Sequence, residues 1–220
     1  RVIAIDYRGI GGSGGRAPVT VAAMAEDTLA LVQALGFAQI DLLGVSLGGF
    51  VAQELVLKAP SLVRRLILTG TGPAGGQGID RIGAVSLPLI IKGLLTLRDP
   101  KHFLFFTPSA NSQAAAKAFL QRLNARRRDR DESASPTAFL RQLKAITAWG
   151  LQVPQDLGNI HIPVLIANGD ADIMVPTSNS LDLARRIPNA RLVIYPDAGH
   201  GGIFQHHATF VPEALAFLGS

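Results

Sequence analysis

Ile40-Asp41-Leu42-Leu43-Gly44-Val45-Ser46-Leu47-Gly48-Gly49-Phe50 is the stretch on which the reading of this 220-residue chain turns. Its first half is a short apolar run ending at Val45, the pattern of a strand buried in a sheet. From residue 48 to residue 58 a helical pattern follows, stopped by Pro60. Between the two lies Gly44-Val45-Ser46-Leu47-Gly48, a G-x-S-x-G with a strand before it and a helix after it. In that setting the spacing has a mechanical meaning. Ser46 occupies a strained strand-to-helix turn, Gly44 and Gly48 let the backbone pass close by, and the hydroxyl stands exposed at the carboxyl end of the sheet. The Leu47 amide, at the helix N-terminus, faces the place where an oxyanion would develop. An ordinary glycine-rich turn explains the pentapeptide alone, but not its flanks.

Working outward, residues 63–69 form a further apolar strand pattern, and the β-branched run at residues 2–5 reads as another buried strand. Thr20 caps a helix over residues 21–35 that Gly36 ends, with Met24, Leu31, Val32 and Leu35 as its candidate buried face. Strand and helix alternate, which predicts parallel βαβ units with right-handed crossovers. The rhythm then breaks. Residues 70–154 carry helical patterns at 79–97, 114–126 and 136–149, separated by Gly, Pro and Ser clusters. A segment of that length does not fit inside a crossover and is expected outside the sheet, as a cap. The βαβ pattern resumes with a strand at 164–168, a helix at 177–187, a strand at 191–195 and a closing helix at 210–218. The expected fold class is therefore α/β: a mostly parallel sheet flanked by helices, with residues 1–69 and 155–220 as the core and 70–154 as an inserted helical cap.

A serine hydroxyl needs a base. Of the five histidines, His200 follows the last strand in Pro196-Asp197-Ala198-Gly199-His200-Gly201-Gly202, at the same sheet edge as Ser46. His206 and His207 read as surface residues near the closing helix. His102 lies in the cap segment as a solvated or pocket-lining residue, and His161 sits at the opposite end of the sheet. The base in turn needs a carboxylate to fix its tautomer. Asp170 and Asp172, in Asn168-Gly169-Asp170-Ala171-Asp172, both qualify on spacing; Asp197 is expected to stabilise its own turn.

Four segments together resemble the α/β-hydrolase family. Asp6-Tyr7-Arg8-Gly9-Ile10-Gly11-Gly12-Ser13 is similar to its D-x-R-G-x-G-x-S loop, and residues 44–49 resemble its nucleophile elbow. The stretch from Asn168 to Pro176 resembles its G-x-x-D-x-x-x-P acid loop, and Ala198-Gly199-His200-Gly201 its histidine loop. The likeness spans nearly the whole chain outside the cap. It implies Ser46 as nucleophile, Asp172 as the acid and His200 as base, in the chain order that fold uses. Serine at the elbow sets the chain apart from the epoxide-hydrolase and haloalkane-dehalogenase branches. The resemblance also implies a strand ending in His-Gly, lying between those of residues 2–5 and Ile40–Val45 and supplying a second oxyanion amide. No segment here matches it, so the sequence is expected to be a fragment holding half an oxyanion hole.

Composition narrows the rest. The chain is 48% hydrophobic and 17% charged, contains no cysteine and carries a net charge of +5. No thiol nucleophile or disulfide framework is available, and the cytoplasm is the default location. Much of the positive charge sits in Arg126-Arg127-Arg128-Asp129-Arg130, expected as a solvated run rather than a nucleic-acid surface. The longest apolar stretch is interrupted by Lys92, so no membrane association is expected. Gly9-Ile10-Gly11-Gly12-Ser13-Gly14 also satisfies G-x-G-x-x-G. A dinucleotide site would need a helix beginning at those glycines and an acidic residue ending a second strand; Arg16-Ala17-Pro18 intervene, and Glu26 and Asp27 fall inside a helix. A non-catalytic ligand-binding or interaction domain on the same fold is the other rival. Leu87, Leu89, Ile90, Leu94, Phe103, Phe105, Phe106, Phe119 and Trp149 are the cap's apolar side chains, some expected to roof a pocket. The expected substrate is a small or medium apolar carboxylic ester or lactone, with a thioester, a peracid-forming reaction or a carbon–carbon bond as alternatives and with no metal or organic cofactor.

Overall fold

The computed structural model describes residues 1–125 and 134–219. The basic run at 126–130 lies outside the described residues. Four strands, β1 (Ile40–Val45), β2 (Val63–Thr69), β3 (Val164–Gly169) and β4 (Ala190–Tyr195), form one sheet in the order β1-β2-β3-β4, every neighbouring pair parallel. The registers Val45↔Thr69, Thr69↔Ala167 and Gly169↔Tyr195 bring the carboxyl ends of all four strands to one edge.

Alternation along the central strands sorts side chains between two cores. Leu66, Leu68, Val164 and Ile166 face one side, where helices α2 (Leu47–Lys58) and, after β3, α7 (Ser178–Arg186) cover the sheet and α1 (Val21–Ala34) packs on α2. Ile67, Leu165 and Ala167 face the other, against α8 (Gly202–Gln205) and α9 (His207–Gly219) through Ile203, Phe210 and Ala214. Strand segments covered on both faces read as continuous apolar runs, as Leu66-Ile67-Leu68 of β2 and Val164-Leu165-Ile166-Ala167 of β3 do.

Between β2 and β3 the chain makes a helical excursion: α3 (Ile82–Leu95) after a 3₁₀ turn at Ile79–Arg81, then α4 (Lys101–Leu104), α5 (Ala110–Ala125) and α6 (Pro136–Gly150). It is not separate from the main core. Trp149 of α6 is 1% exposed, stacks on Phe50 of α2 with ring centroids 5.5 Å apart, and donates its indole N–H to the Gly72 carbonyl. Among the described residues no helix is long and apolar enough to cross a membrane.

Two expectations are corrected. Residues 2–5 form no strand, and Val2 is 95% exposed. A strand exists only through its ladder, and none of the four strands pairs with this segment. On α1 the buried face is Val21, Met24, Ala25, Thr28 and Val32, while Leu31 and Leu35 are exposed. Thr28 is accommodated because its hydroxyl donates to the Met24 carbonyl one turn back at 2.8 Å.

Candidate active site

Ser46 ends β1 and precedes α2 with φ 53° and ψ −119°. Such a conformation costs a non-glycine residue roughly 1–3 kcal/mol and persists only where its surroundings fix it. They do. The Ser46 amide donates to the Thr69 carbonyl at 2.9 Å, and its carbonyl accepts the Thr71 hydroxyl at 2.9 Å and the Gly49 amide at 2.9 Å. The turn also closes too tightly for side chains: a Cβ on Gly44 would lie 2.5 Å from the Gly48 carbonyl oxygen, and one on Gly49 2.5 Å from Thr71 Oγ1. Leu47, the expected oxyanion donor, opens α2, where the helix offers its amide no carbonyl. Beside the elbow, the Tyr7 hydroxyl lies 3.7 Å from where a Gly48 Cβ would stand, and burial pushes the phenol up to about 12.

The loops after β3 and β4 bring Asp172 to His200. His200 Nδ1 lies 2.8 Å from Asp172 Oδ2, with both side chains essentially buried. The other carboxylate oxygen, Oδ1, accepts the Met174 and Val175 amides at 2.8 and 3.0 Å. A carboxylate at this place accepts an Nδ1–H and so favours that tautomer of the imidazole. Gly70, following β2 with φ 53°, packs on the imidazole so closely that a Cβ there would stand 3.3 Å from its Cε1 and Nδ1. Ser46 is bonded to Thr69 and His200 packs on Gly70, so the serine and histidine loops meet at the end of β2.

Asp170 takes a different part from Asp172. Its two carboxylate oxygens accept the Asp197 and Ala198 amides, each at 3.1 Å, anchoring the histidine loop by its backbone. Asp197 departs from its expected role. Its side chain serves the helical excursion rather than its own turn, accepting the Thr107 hydroxyl at 2.9 Å and the Ser109 hydroxyl at 2.6 Å. Those bonds, Ser109's first, hold its carboxyl below the usual range.

The remaining histidines lie away from this centre. His206 stacks on Tyr195 at 5.0 Å and His161 is exposed. His102 lines a groove of about 980 Å³ with Arg98, Lys117 and Gln121 that none of Ser46, Asp172 and His200 borders. Phe105 is the residue that sequence reasoning left undistinguished among the apolar side chains of the helical excursion. It stands edge-on to His200, with ring centroids 5.5 Å apart. Its signal in the sequence was indirect: the glycines on either side of His200, whose missing side chains make room for it. Of the other cap candidates, Phe106 and Phe119 pack together in a small core of their own, and Leu87 and Leu94 are exposed.

The glycine-rich loop closes on itself. The Gly12 amide donates to Asp6 Oδ2 at 3.0 Å, the Ser13 hydroxyl to the Asp6 carbonyl, and Arg8 pairs with Asp27. The first helix after it begins only at Val21, so no helix N-terminus meets the glycines as a dinucleotide site requires. Among the described residues no three His, Asp or Glu side chains gather as metal ligands.

Comparison with known proteins accords with this geometry. A family model described as alpha/beta hydrolase fold matches residues 1–207. A Caulobacter sp. (strain K31) protein provisionally named the carbamate hydrolase RutD is 30% identical, covering 99% of this chain and 80% of its own length. A poly(3-hydroxyalkanoate) depolymerase of Ectopseudomonas oleovorans is also 30% identical, over 99% of this chain and 74% of its own. The solved structure of an alpha/beta hydrolase fold protein from Chitinophaga pinensis superposes with a TM-score of 0.90 at 38% identity, covering 98% of this chain and 78% of that one. The parallel sheet with its flanking helices is thus a shared feature, and the chain belongs to the alpha/beta hydrolase fold family.

Proposed function

We propose that the protein is a serine hydrolase that cleaves a small or medium apolar carboxylic ester or lactone through an acyl-enzyme on Ser46. The observation that carries this reading is the buried His200–Asp172 pair, 2.8 Å apart at the sheet edge where Ser46 is held on its strained turn. In this mechanism His200 Nε2 takes the Ser46 proton as Oγ attacks the ester carbonyl carbon, and the oxyanion faces the Leu47 amide. The tetrahedral intermediate collapses with loss of the alkoxide, which takes its proton from His200. A water deprotonated by His200 then attacks the acyl carbon, releases the acid and restores the Ser46 hydroxyl. Asp172 holds the Nδ1–H tautomer and stabilises the imidazolium. These steps use no metal or organic cofactor.

Residues 70–154 serve in this reading as a cap over the edge. The apolar preference is supported by Phe105 against His200 and by the half-buried Leu47 and Met174 beside the serine and the acid. The relatives carry differing substrates in their names, so the acyl group remains a matter for a panel that includes carbamates. The test is intact-mass analysis after treatment with a fluorophosphonate, beside turnover of esters, lactones and carbamates. A single adduct and ester turnover, both lost in Ser46→Ala, are expected. An unlabelled parent protein that turns over none of the panel would overturn the reading.

A further inference from the structure

The segment joining α4 to α5, residues 105–109, is fastened across the histidine loop at several points. The Gly201 amide donates to the Phe105 carbonyl at 2.8 Å. A Cβ on Gly199 would lie 2.8 Å from that same carbonyl oxygen, and one on Gly201 2.9 Å from Phe105 Cβ. Both glycines flanking His200 therefore make room for this strap. Its far end is tied by polar bonds: Thr107 and Ser109 together occupy both carboxylate oxygens of Asp197, at 2.9 and 2.6 Å. Gln205 of α8 closes the ring, donating to the Asp197 carbonyl and accepting the Ser112 hydroxyl, each at 2.7 Å. On its other side the histidine loop is held by Asp170, which accepts the Asp197 amide.

These bonds converge on one ring. The His200 imidazole has Asp172 at Nδ1, Gly70 against Cε1 and the edge-on Phe105 ring 5.5 Å from its centroid. Asp172 fixes one atom of the imidazole, and a ring fixed at one atom still rocks about that bond. The plane is set by what packs against it. We infer that Asp197, acting through the Thr107 and Ser109 hydroxyls, clamps Phe105 against His200, and that Asp197 and Phe105 are positioning residues for the general base. This rests on the reading of His200 as the base for Ser46. A hydroxyl clamp from the excursion onto the loop of the base also ties the two together: His200 is fully aimed only while the strap is seated. Misplacing a catalytic group by about 1 Å costs on the order of 10²-fold in rate, so partial loosening is expected to cost about tenfold.

The test is a set of three variants of the whole chain. Thr107→Val with Ser109→Ala removes the clamp; Thr107→Ser with Ser109→Thr keeps both hydroxyls; Phe105→Leu keeps the clamp and removes the ring. The first and third are expected to lower kcat for ester hydrolysis about tenfold with KM changed less than about twofold. The hydroxyl-keeping pair is expected to match the parent. A second readout needs no turnover: the downfield proton expected between His200 Nδ1 and Asp172 is predicted to give a sharp NMR resonance in the parent, to broaden in the clamp-less variant and to return in the hydroxyl-keeping one. An unchanged resonance and kcat in the clamp-less variant overturn the inference. So does a loss of equal size in the hydroxyl-keeping pair, which would mark a packing effect. If the resonance responds as expected while the parent protein labels with no fluorophosphonate, the clamp stands and the serine-hydrolase reading fails.

Discussion

Asp172 gives Oδ2 to His200 Nδ1 at 2.8 Å and keeps Oδ1 for the amides of Met174 and Val175, so the carboxylate is aimed before any ligand arrives. Asp170, two positions earlier, spends both its oxygens on the backbone of the histidine loop. One aspartate sets the imidazole's proton and the other sets the loop's place.

That division predicts opposite signatures. Asp172→Asn presents an amide to Nδ1, favours the wrong tautomer and is expected to lower kcat by about 10⁴ with the melting temperature little changed. Asp170→Asn loses one of two acceptors and is expected to cost roughly 1–3 kcal/mol of stability while kcat falls less than about tenfold. Steady-state kinetics beside thermal melts separates them, and the reverse pattern would show the acid misassigned.

The elbow makes a prediction through its glycines. Gly44→Ala forces a Cβ to 2.5 Å from the Gly48 carbonyl. It is expected to abolish fluorophosphonate labelling of Ser46 and to lower the melting temperature. Gly14→Ala meets nothing within 4 Å and is expected to lie within about 0.5 kcal/mol of the parent. Equal labelling of the two variants would contradict the tight turn.

Trp149 and Leu94 belong to the same apolar list by sequence but not by environment. Trp149→Ala empties a site in the main core and is expected to cost about 3–5 kcal/mol in chemical denaturation. Leu94 is 68% exposed, and Leu94→Ala is expected to fall within about 0.5 kcal/mol of the parent. A mild Trp149→Ala would mean that α6 is not welded to the core.

The clamp has a pH dependence of definite sign. Hydrogen bonds from Ser109 and Thr107 lower the Asp197 pKa, with a smaller contribution from His206. A group whose folded pKa is depressed contributes stability that is present above its unfolded value and is lost as pH falls through the folded one. Asp170, bonded to the Asp197 amide, is a further charge facing this loop. The stability difference between the parent and Ser109→Ala is therefore expected to be full at neutral pH and to narrow only below the ordinary carboxylate range, leaving the share owed to the Ser112 amide that the Ser109 hydroxyl also accepts. Urea melts across that range check it; a gap that widens in acid would contradict the assignment.

Much of this was legible in the sequence, for reasons that can be named. Ile40–Val45 and Val63–Thr69 were bounded correctly because an apolar run, Leu42-Leu43 in the first and Leu66-Ile67-Leu68 in the second, survives beside Asp41, Arg64 and Arg65, and a turn containing glycine follows each. Residues 2–5 carry the same pattern and form no strand, because pattern supplies apolar faces but not a pairing partner. On α1 the leucines misled. Helix α2 takes the side marked by Met24, Ala25 and Thr28, and small or hydroxylated residues carry little hydrophobic signal. The acid was ambiguous for a related reason: Asp170 and Asp172 differ only in which way their loop turns them. Asp197 and Phe105 were out of reach of local reasoning, since their partners lie some 90 positions away in the chain.

Trp149 is the chain's sole tryptophan, and it sits where the helical excursion meets the sheet's own helices. The chain therefore carries one indole fluorophore, distinguishable from its two tyrosines by excitation at the red edge and shielded from water by Phe50. Its emission reports a single seam, blue-shifted while α6 is docked and moving to the red as that seam opens. Whatever moves the excursion can be followed by light from an unlabelled chain.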